Sequence, residues 1–247
     1  MERGLYIAAS GMVAEQMRQD QIANDLANAS TTGYKRVRVG FRDLLYSAQG
    51  GGGSGPTVAA GAGAAASIFG RSHGQGALQD TGQPLDLAIQ GPGYLQVKRP
   101  DGSLALTRDG SLRLDADGRL TTQDGLIVQP QITVPRGTTP DHLSIAADGT
   151  VRVGAGRALG RIQLVDVPAA DGLQPLGGNL FAAVAASGKP SAVGAATTLR
   201  QGALEGSNVD VGDAMVDMID AQRGFQLASK AIQMQDQMLE IANQVKR

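Results

Sequence analysis

The chain has 247 residues, enough to bury a substantial core in one or two domains. Its 22 Lys and Arg against 23 Asp and Glu leave a net charge of -1, so no basic excess points to nucleic acid or to an anionic membrane surface. Cysteine and tryptophan are absent, which excludes disulfides, Cys-based zinc sites and thiol nucleophiles and leaves four Tyr and four Phe as the only aromatic lining for a small-molecule pocket.

The N-terminus does not read as a signal peptide. Glu2 stands where a positive segment belongs, and Leu5 to Ala9 is short for an apolar core before Ser10 and Gly11. No apolar run approaches the ~18 residues of a membrane span, so direct membrane insertion is not expected. Between Arg3 and Asn28 there is no proline, and apolar positions recur at alternating three and four spacing. Leu5, Ala9, Met12, Gln16, Gln19, Ala23 and Leu26 form a heptad seam interrupted by two glutamines. The run Ser30-Thr31-Thr32-Gly33 stops this helix.

Beyond the stop, Lys35, Arg36, Arg38 and Arg42 alternate with Val37, Val39 and Phe41, as in a half-buried strand or hairpin. One reading is a solvated strand face. The other is a basic edge that meets acidic surface on a neighbouring subunit, including Asp213, Asp217 or Asp220. Nucleic acid fits this cluster poorly, because stacking aromatics and overall positive charge are lacking. Gly50 to Gly63, rich in Gly, Ala and Ser, reads as a flexible loop.

From about Ile68 to Leu199 short apolar stretches alternate with turns. Leu85–Ile89, Tyr94–Val97, Leu126–Val128 and Ile162–Val167 read as strands. Asp-Gly pairs at 101–102, 109–110, 117–118, 124–125 and 148–149 are hairpin signals, so this zone reads as all-β. His73 and His142 lie near turn residues without nucleophile or metal-ligand spacing and read as surface histidines. Asp115-Ala116-Asp117-Gly118 resembles a calcium-loop fragment, but the later ligands are missing, and a hairpin turn is the better reading.

The last element is the clearest. Asp210 is placed to cap a helix, with Asp213 three residues on. Val211, Ala214, Met218, Ala221, Phe225, Ala228, Ile232, Gln235, Leu239 and Ala242 then run at three-four spacing with one break. No proline follows, so the helix is expected to be about 35 residues and ~50 Å long. That exceeds the diameter of a compact β-domain of this size, so part of its apolar surface needs partners in neighbouring copies.

The expected organisation is α+β: an N-terminal helix and turn over 1–34, a strand or hairpin with the Gly/Ala loop over 35–67, a β-rich domain over 68–199, and a C-terminal helix region over 200–247. The two long helices are expected to pair like a coiled coil. The residues expected at subunit interfaces are Leu5, Ala9, Met12, Ala23, Leu26, Asn28, Lys35, Arg36, Arg38, Val211, Ala214, Met218, Ala221, Phe225, Ala228, Ile232, Leu239 and Ala242. No catalytic, cofactor-binding or metal site is expected. A secreted β-rich binding module, with a concave site within 68–199, and a hydrolase built on Asp residues and His142 are the alternatives from other classes.

Three stretches carry a resemblance. Gln21-Ile22-Ala23-Asn24-Asp25-Leu26-Ala27-Asn28-Ala29-Ser30-Thr31-Thr32-Gly33-Tyr34-Lys35-Arg36 resembles the N-terminal signature of the bacterial flagellar rod and hook proteins. Leu204-Glu205-Gly206-Ser207-Asn208-Val209-Asp210-Val211, with the following Met215–Ile219 and Ala221-Gln222-Arg223, resembles their C-terminal signature. Leu87–Tyr94 and Thr107-Arg108-Asp109-Gly110 are similar to the family's central β-domain. The resemblance implies export uncleaved through the flagellar type III apparatus and helical stacking with copies of itself and with other rod and hook subunits. It also implies terminal helices lining an inner tube, an outer β layer, an extracytoplasmic place in the basal body and transmission of motor torque. Cofactors are not implied. Ser229–Ile232 and Asp236–Leu239 are more similar to the distal rod subunit than to the proximal one, which stays the alternative. The Gly/Ala-rich stretch after Tyr46 departs from the distal pattern, in which that loop stiffens the rod.

Overall fold

The computed structural model describes residues 2–44, 47–49, 58–60, 63–154, 156, 158–194 and 196–245. The chain divides into two compact units. One comprises Met1–Ala27, Val37–Phe69 and Asp210–Arg247; the other comprises Asn28–Arg36 and Gly70–Val209. The architecture is α+β, with one helix at each end of the chain and strands between.

In the first unit, α1 (Glu2–Ala27) has 26 residues and α2 (Val211–Val245) has 35. The Asp210 side chain accepts a hydrogen bond from the Asp213 backbone N–H at 3.1 Å, capping the α2 N-terminus. The helices are antiparallel. Arg18 on α1 pairs with Asp217 at 3.1 Å. Further towards the α1 N-terminus, a Cβ on Gly224 would come within 2.9 Å of the Glu15 carboxyl carbon, and one on Gly4 within 2.7 Å of the Gln235 amide. Two glycines thus let the helices approach where long polar side chains cross. A strand over Val37–Asp43 pairs with one over Ala64–Arg71. Strands Ser47–Gln49 and Val58–Ala60 pair antiparallel, the second of them within the Gly50 to Gly63 stretch expected to be loop; residues 50–57, 61 and 62 lie outside the described residues.

The second unit is the β-rich one. Its central strand, Tyr94–Lys98, forms a hairpin with Leu104–Thr107. Its other edge is shared: Ile127–Gln129 pairs with Gln96–Lys98, and Leu164–Asp166 pairs with Tyr94 and Leu95. The sheet continues on one side through the meander Leu112–Leu114, Leu120–Thr122 and Ile127–Gln129, and on the other through Leu180–Ala182 and Gln174–Gly177. Leu143–Ile145, Thr150–Val153 and Ala158–Arg161 make a separate three-stranded sheet. Leu87, Ile89, Leu95, Val97, Leu120, Val128, Val151 and Ile162 lie in the main core.

Asp-Gly turns close the hairpins at Gly102, Gly118, Gly125 and Gly149, all at positive φ, where a side chain would be strained. Asp109-Gly110 is the exception. A Cβ on Gly110 would collide with the Leu87 carbonyl, so this glycine serves close backbone approach rather than a hairpin.

Candidate functional site

The two signature stretches meet inside the β unit. Ala203–Glu205 pairs antiparallel with Leu78–Asp80, and this alternation turns Ala203 and Glu205 to the buried side. The Gly33 N–H donates to the Glu205 carbonyl at 2.8 Å, with Gly33 in the left-handed region at φ 67°. Asn208 closes the junction. Its side-chain oxygen accepts the Arg36 N–H at 2.7 Å, and its amide donates to the Ser72 and Gly74 carbonyls at 2.7 and 3.1 Å. Asn179 ties Thr32 to the same unit through a 2.8 Å bond to its carbonyl.

Beneath this junction lies a buried charge cluster. Lys35 Nζ is 2.5 Å from Glu205 Oε1, and Arg108 is 2.9 Å from Oε2; Lys35 and Glu205 are fully buried and Arg108 is 4% exposed. Lys35 also donates to the Gly74 carbonyl at 2.7 Å, Arg108 to the Gly91 carbonyl at 2.9 Å, and the Gly76 N–H donates to Glu205 at 3.0 Å. Burial disfavours the Glu205 carboxylate, but Arg108, the Lys35 bond and the Gly76 N–H outweigh it and hold its pKa below the usual range. Burial pulls the Lys35 pKa down despite Glu205, and Arg108 adds to that.

An aromatic layer flanks the charges. Tyr94 lies under the Arg108 guanidinium, 5.3 Å from its ring centroid, and its hydroxyl is 2.7 Å from His73 Nδ1. His73, Tyr94 and Phe181 meet edge to face. Burial pushes the His73 pKa down to about 4 and the Tyr94 pKa up to about 12. His73 is therefore not the surface histidine its turn context suggested; His142 is exposed. The Asp115 and Asp117 carboxylates are engaged by Arg119 at 2.7 and 3.0 Å, so the calcium-like fragment is a hairpin turn closed by an ion pair.

Lys35 needs a correction. It is not on an exposed basic edge, because the turn at Gly33 points it inward to Glu205; Arg38 and Arg42 are exposed, and Arg36 is half-buried. Glu205, Arg108 and Asn208 went without a role at the level of sequence. Alternation around Ala203-Leu204-Glu205 was the available signal, since period two puts Glu205 on the side of Ala203.

On α2, Ala214 and Ala221 are buried, and Met218, Phe225, Ala228, Ile232 and Leu239 are half-buried. Much of that seam is therefore occupied by α1 of the same chain. Val211 is exposed, and Ala242 lies in the last turns. On α1, Leu5, Ala9, Met12 and Leu26 are half-buried and Ala23 is exposed, while Ala14, Ile22 and Asp25 are the buried positions. The packed line is rotated by about one residue from the seam read in the sequence, because Gly4, Glu15 and Arg18 face α2. Asn28 is half-buried in the turn. Tyr6, Ala9, Val13 and Met17 line an apolar groove of ≈ 450 Å³ with Leu44 and Ala64–Ala66.

α2 carries a second apolar stripe. Val216, Leu227, Met234, Met238 and Ile241 are 58–68% exposed and lie within about 60° of one another around the helix, on the side away from Ala214 and Ala221. Among the described residues, no helix is long and apolar enough to cross a membrane.

A β unit in which the two signature stretches share a buried charge cluster, and a helix α2 that is apolar on two sides, fit the class of structural, assembling proteins. Three family models match: flagella basal body rod protein over residues 5–35, flagellar hook protein FlgE/F/G D1 domain over 88–153, and flagellar basal body rod FlgEFG protein C-terminal over 200–245. The flagellar basal-body rod protein FlgG of Borreliella burgdorferi is 39% identical, and that of Bacillus subtilis 37%, each over 100% of both chains. The flagellar hook-basal body complex protein FlhP of Bacillus subtilis is 32% identical over 100% of both. The chain belongs to the flagellar basal-body rod protein family.

Proposed function

We propose that this chain is the distal rod subunit, polymerising helically through its terminal helices to carry motor torque to the hook. The exposed stripe on α2 carries this reading. A helix with apolar residues on opposite sides is stable in water only when both sides are covered, and α1 covers one. Covering the other with neighbouring copies spreads shear over many apolar contacts, each contributing about 1 kcal/mol. Support for the distal position comes from relatives named FlgG that match over their full length.

The rest of the reading follows from the family. The partners are further copies, other rod and hook subunits and the flagellar export apparatus, and the place is the extracytoplasmic basal body, reached without signal-peptide cleavage. The function is mechanical, not enzymatic.

Assembly of purified chain, followed by sedimentation and electron microscopy, tests the proposal. Leu227→Asp with Met234→Asp is expected to abolish polymer while leaving the β unit folded. Polymer of normal length from this variant would overturn the reading.

A further inference from the structure

α1 has a face that its own chain leaves open. Tyr6, Val13, Met17 and Asp20 lie within about 60° of one another around the helix, roughly opposite Gly4 and Glu15, which meet α2. All four are exposed. The first three line the apolar groove of ≈ 450 Å³, whose other wall is Leu44 and Ala64–Ala66. That wall is pinned to the helix: the Ala64 N–H donates to Ser10 Oγ at 3.3 Å, and a Cβ on Gly63 would collide with the same hydroxyl. Three successive alanines fill little of the space, so the groove has room for side chains from outside.

The open stripe of α2 matches this groove when the two helices run antiparallel. Tyr6 to Asp20 spans about 21 Å of α1, and Met238 back to Arg223 spans about 22 Å of α2. Arg223 is exposed and falls inside the angular range of the stripe. Setting Tyr6 beside Met238 places Ser10 beside Met234, Val13 beside Ala231, Met17 beside Leu227 and Asp20 beside Arg223. Met234 then faces a small residue of the groove, Val13 faces a small residue of the stripe, and opposite charges close one end. Among the described residues no ion pair engages Asp20 or Arg223. A parallel alignment with Tyr6 beside Leu227 also matches the apolar spacing, but it sets Asp20 against Ile241. Charge therefore selects the antiparallel register.

We propose that the α1 groove of one copy receives the Leu227–Met234–Met238 stripe of a second copy, in the register fixed by Asp20 and Arg223. This rests on the rod-subunit reading and names one contact of the assembly. Within one chain the groove is on the side of α1 opposite α2, so the two surfaces cannot meet. Each copy offers its groove to one neighbour and its stripe to another. Such a contact is heterologous and propagates into an open filament instead of closing as a two-fold dimer.

Because the chain has no cysteine, cross-linking of the full-length protein reads the contact without background. Met17→Cys and Leu227→Cys chains are mixed, polymerised and oxidised. A disulfide dimer joining one of each is expected in the polymer and not in unpolymerised chain. Tyr6→Cys mixed with Leu227→Cys is out of register by about 16 Å and is expected to give none. Charge exchange is the second arm and needs no cysteine. Asp20→Arg and Arg223→Asp, each alone, are expected to raise the critical concentration for polymerisation about tenfold. A chain carrying both is expected to restore it, since every groove then meets a stripe of opposite charge. Absence of the 17–227 dimer from polymer, homodimers in its place, or a double variant no better than the single ones overturns this contact. Loss of polymer by the Leu227→Asp, Met234→Asp variant would then leave the rod-subunit reading standing.

Discussion

Lys35, Arg108 and Glu205 come from three distant parts of the chain and share one buried site. Such a cluster is poor as a source of net stability, because desolvating three charges offsets most of their attraction. Its value is in specifying which segments meet: an apolar patch tolerates slippage, whereas an unpaired buried charge does not. Glu205→Gln leaves two cations facing a neutral amide and is expected to cost about 3–5 kcal/mol in denaturant unfolding of the β unit.

His73 sets a pH dependence at the same scale. Its folded pKa of about 4 lies below the ordinary 6.5, so the unfolded chain binds the proton first as pH falls. The stability associated with neutral His73 is complete above about pH 6.5 and is lost progressively towards pH 4. The denaturation midpoint of His73→Gln is expected to change less between pH 7 and 4.5 than that of the unmodified chain. Equal slopes would mean that other groups govern the acid response.

Among the elements, α2 matters most. Asp210 satisfies one of the N–H groups left open by the first turn. Asp210→Ala is expected to weaken that end by about 1 kcal/mol, read as faster amide exchange at Asp213. α1 covers one side of α2, burying Ala214 and Ala221, and Arg18 pairs with Asp217 there. Isolated long helices whose apolar surface is half covered do not hold a rigid conformation. In dilute monomer, amides from Val211 to Ala242 are therefore expected to exchange quickly and to become protected on polymerisation. Slow exchange in the monomer would contradict coupled folding and assembly.

For the whole molecule, α2 substitutions separate two roles. Phe225→Asp and Ile232→Asp strike the half-buried seam and are expected to loosen the α1–α2 pair as well as assembly. Leu227→Asp and Met234→Asp strike the exposed stripe and are expected to spare the pair. Circular dichroism of the monomers beside sedimentation of the polymers distinguishes the two. Equal loss of helix in both sets would mean that the stripes are not independent.

The sequence by itself determined the terminal helices, the capping Asp210, the β-rich middle and most Asp-Gly hairpins. Each depends on spacing within one short segment: heptads for the helices, alternation and φ-permissive turns for the strands. It also marked the signatures without revealing why they matter. Only the tertiary structure decided that Lys35 points inward, that His73 is half-buried against Tyr94 and Phe181, that Phe225 and Ile232 belong to the line packed on α1, and that Leu227 and Met234 stay open. These outcomes depend on which segment arrives from elsewhere in the chain. Periodicity tells that a helix has an apolar side; the partner that covers it is fixed by long-range closure, here the antiparallel return of α2 along α1.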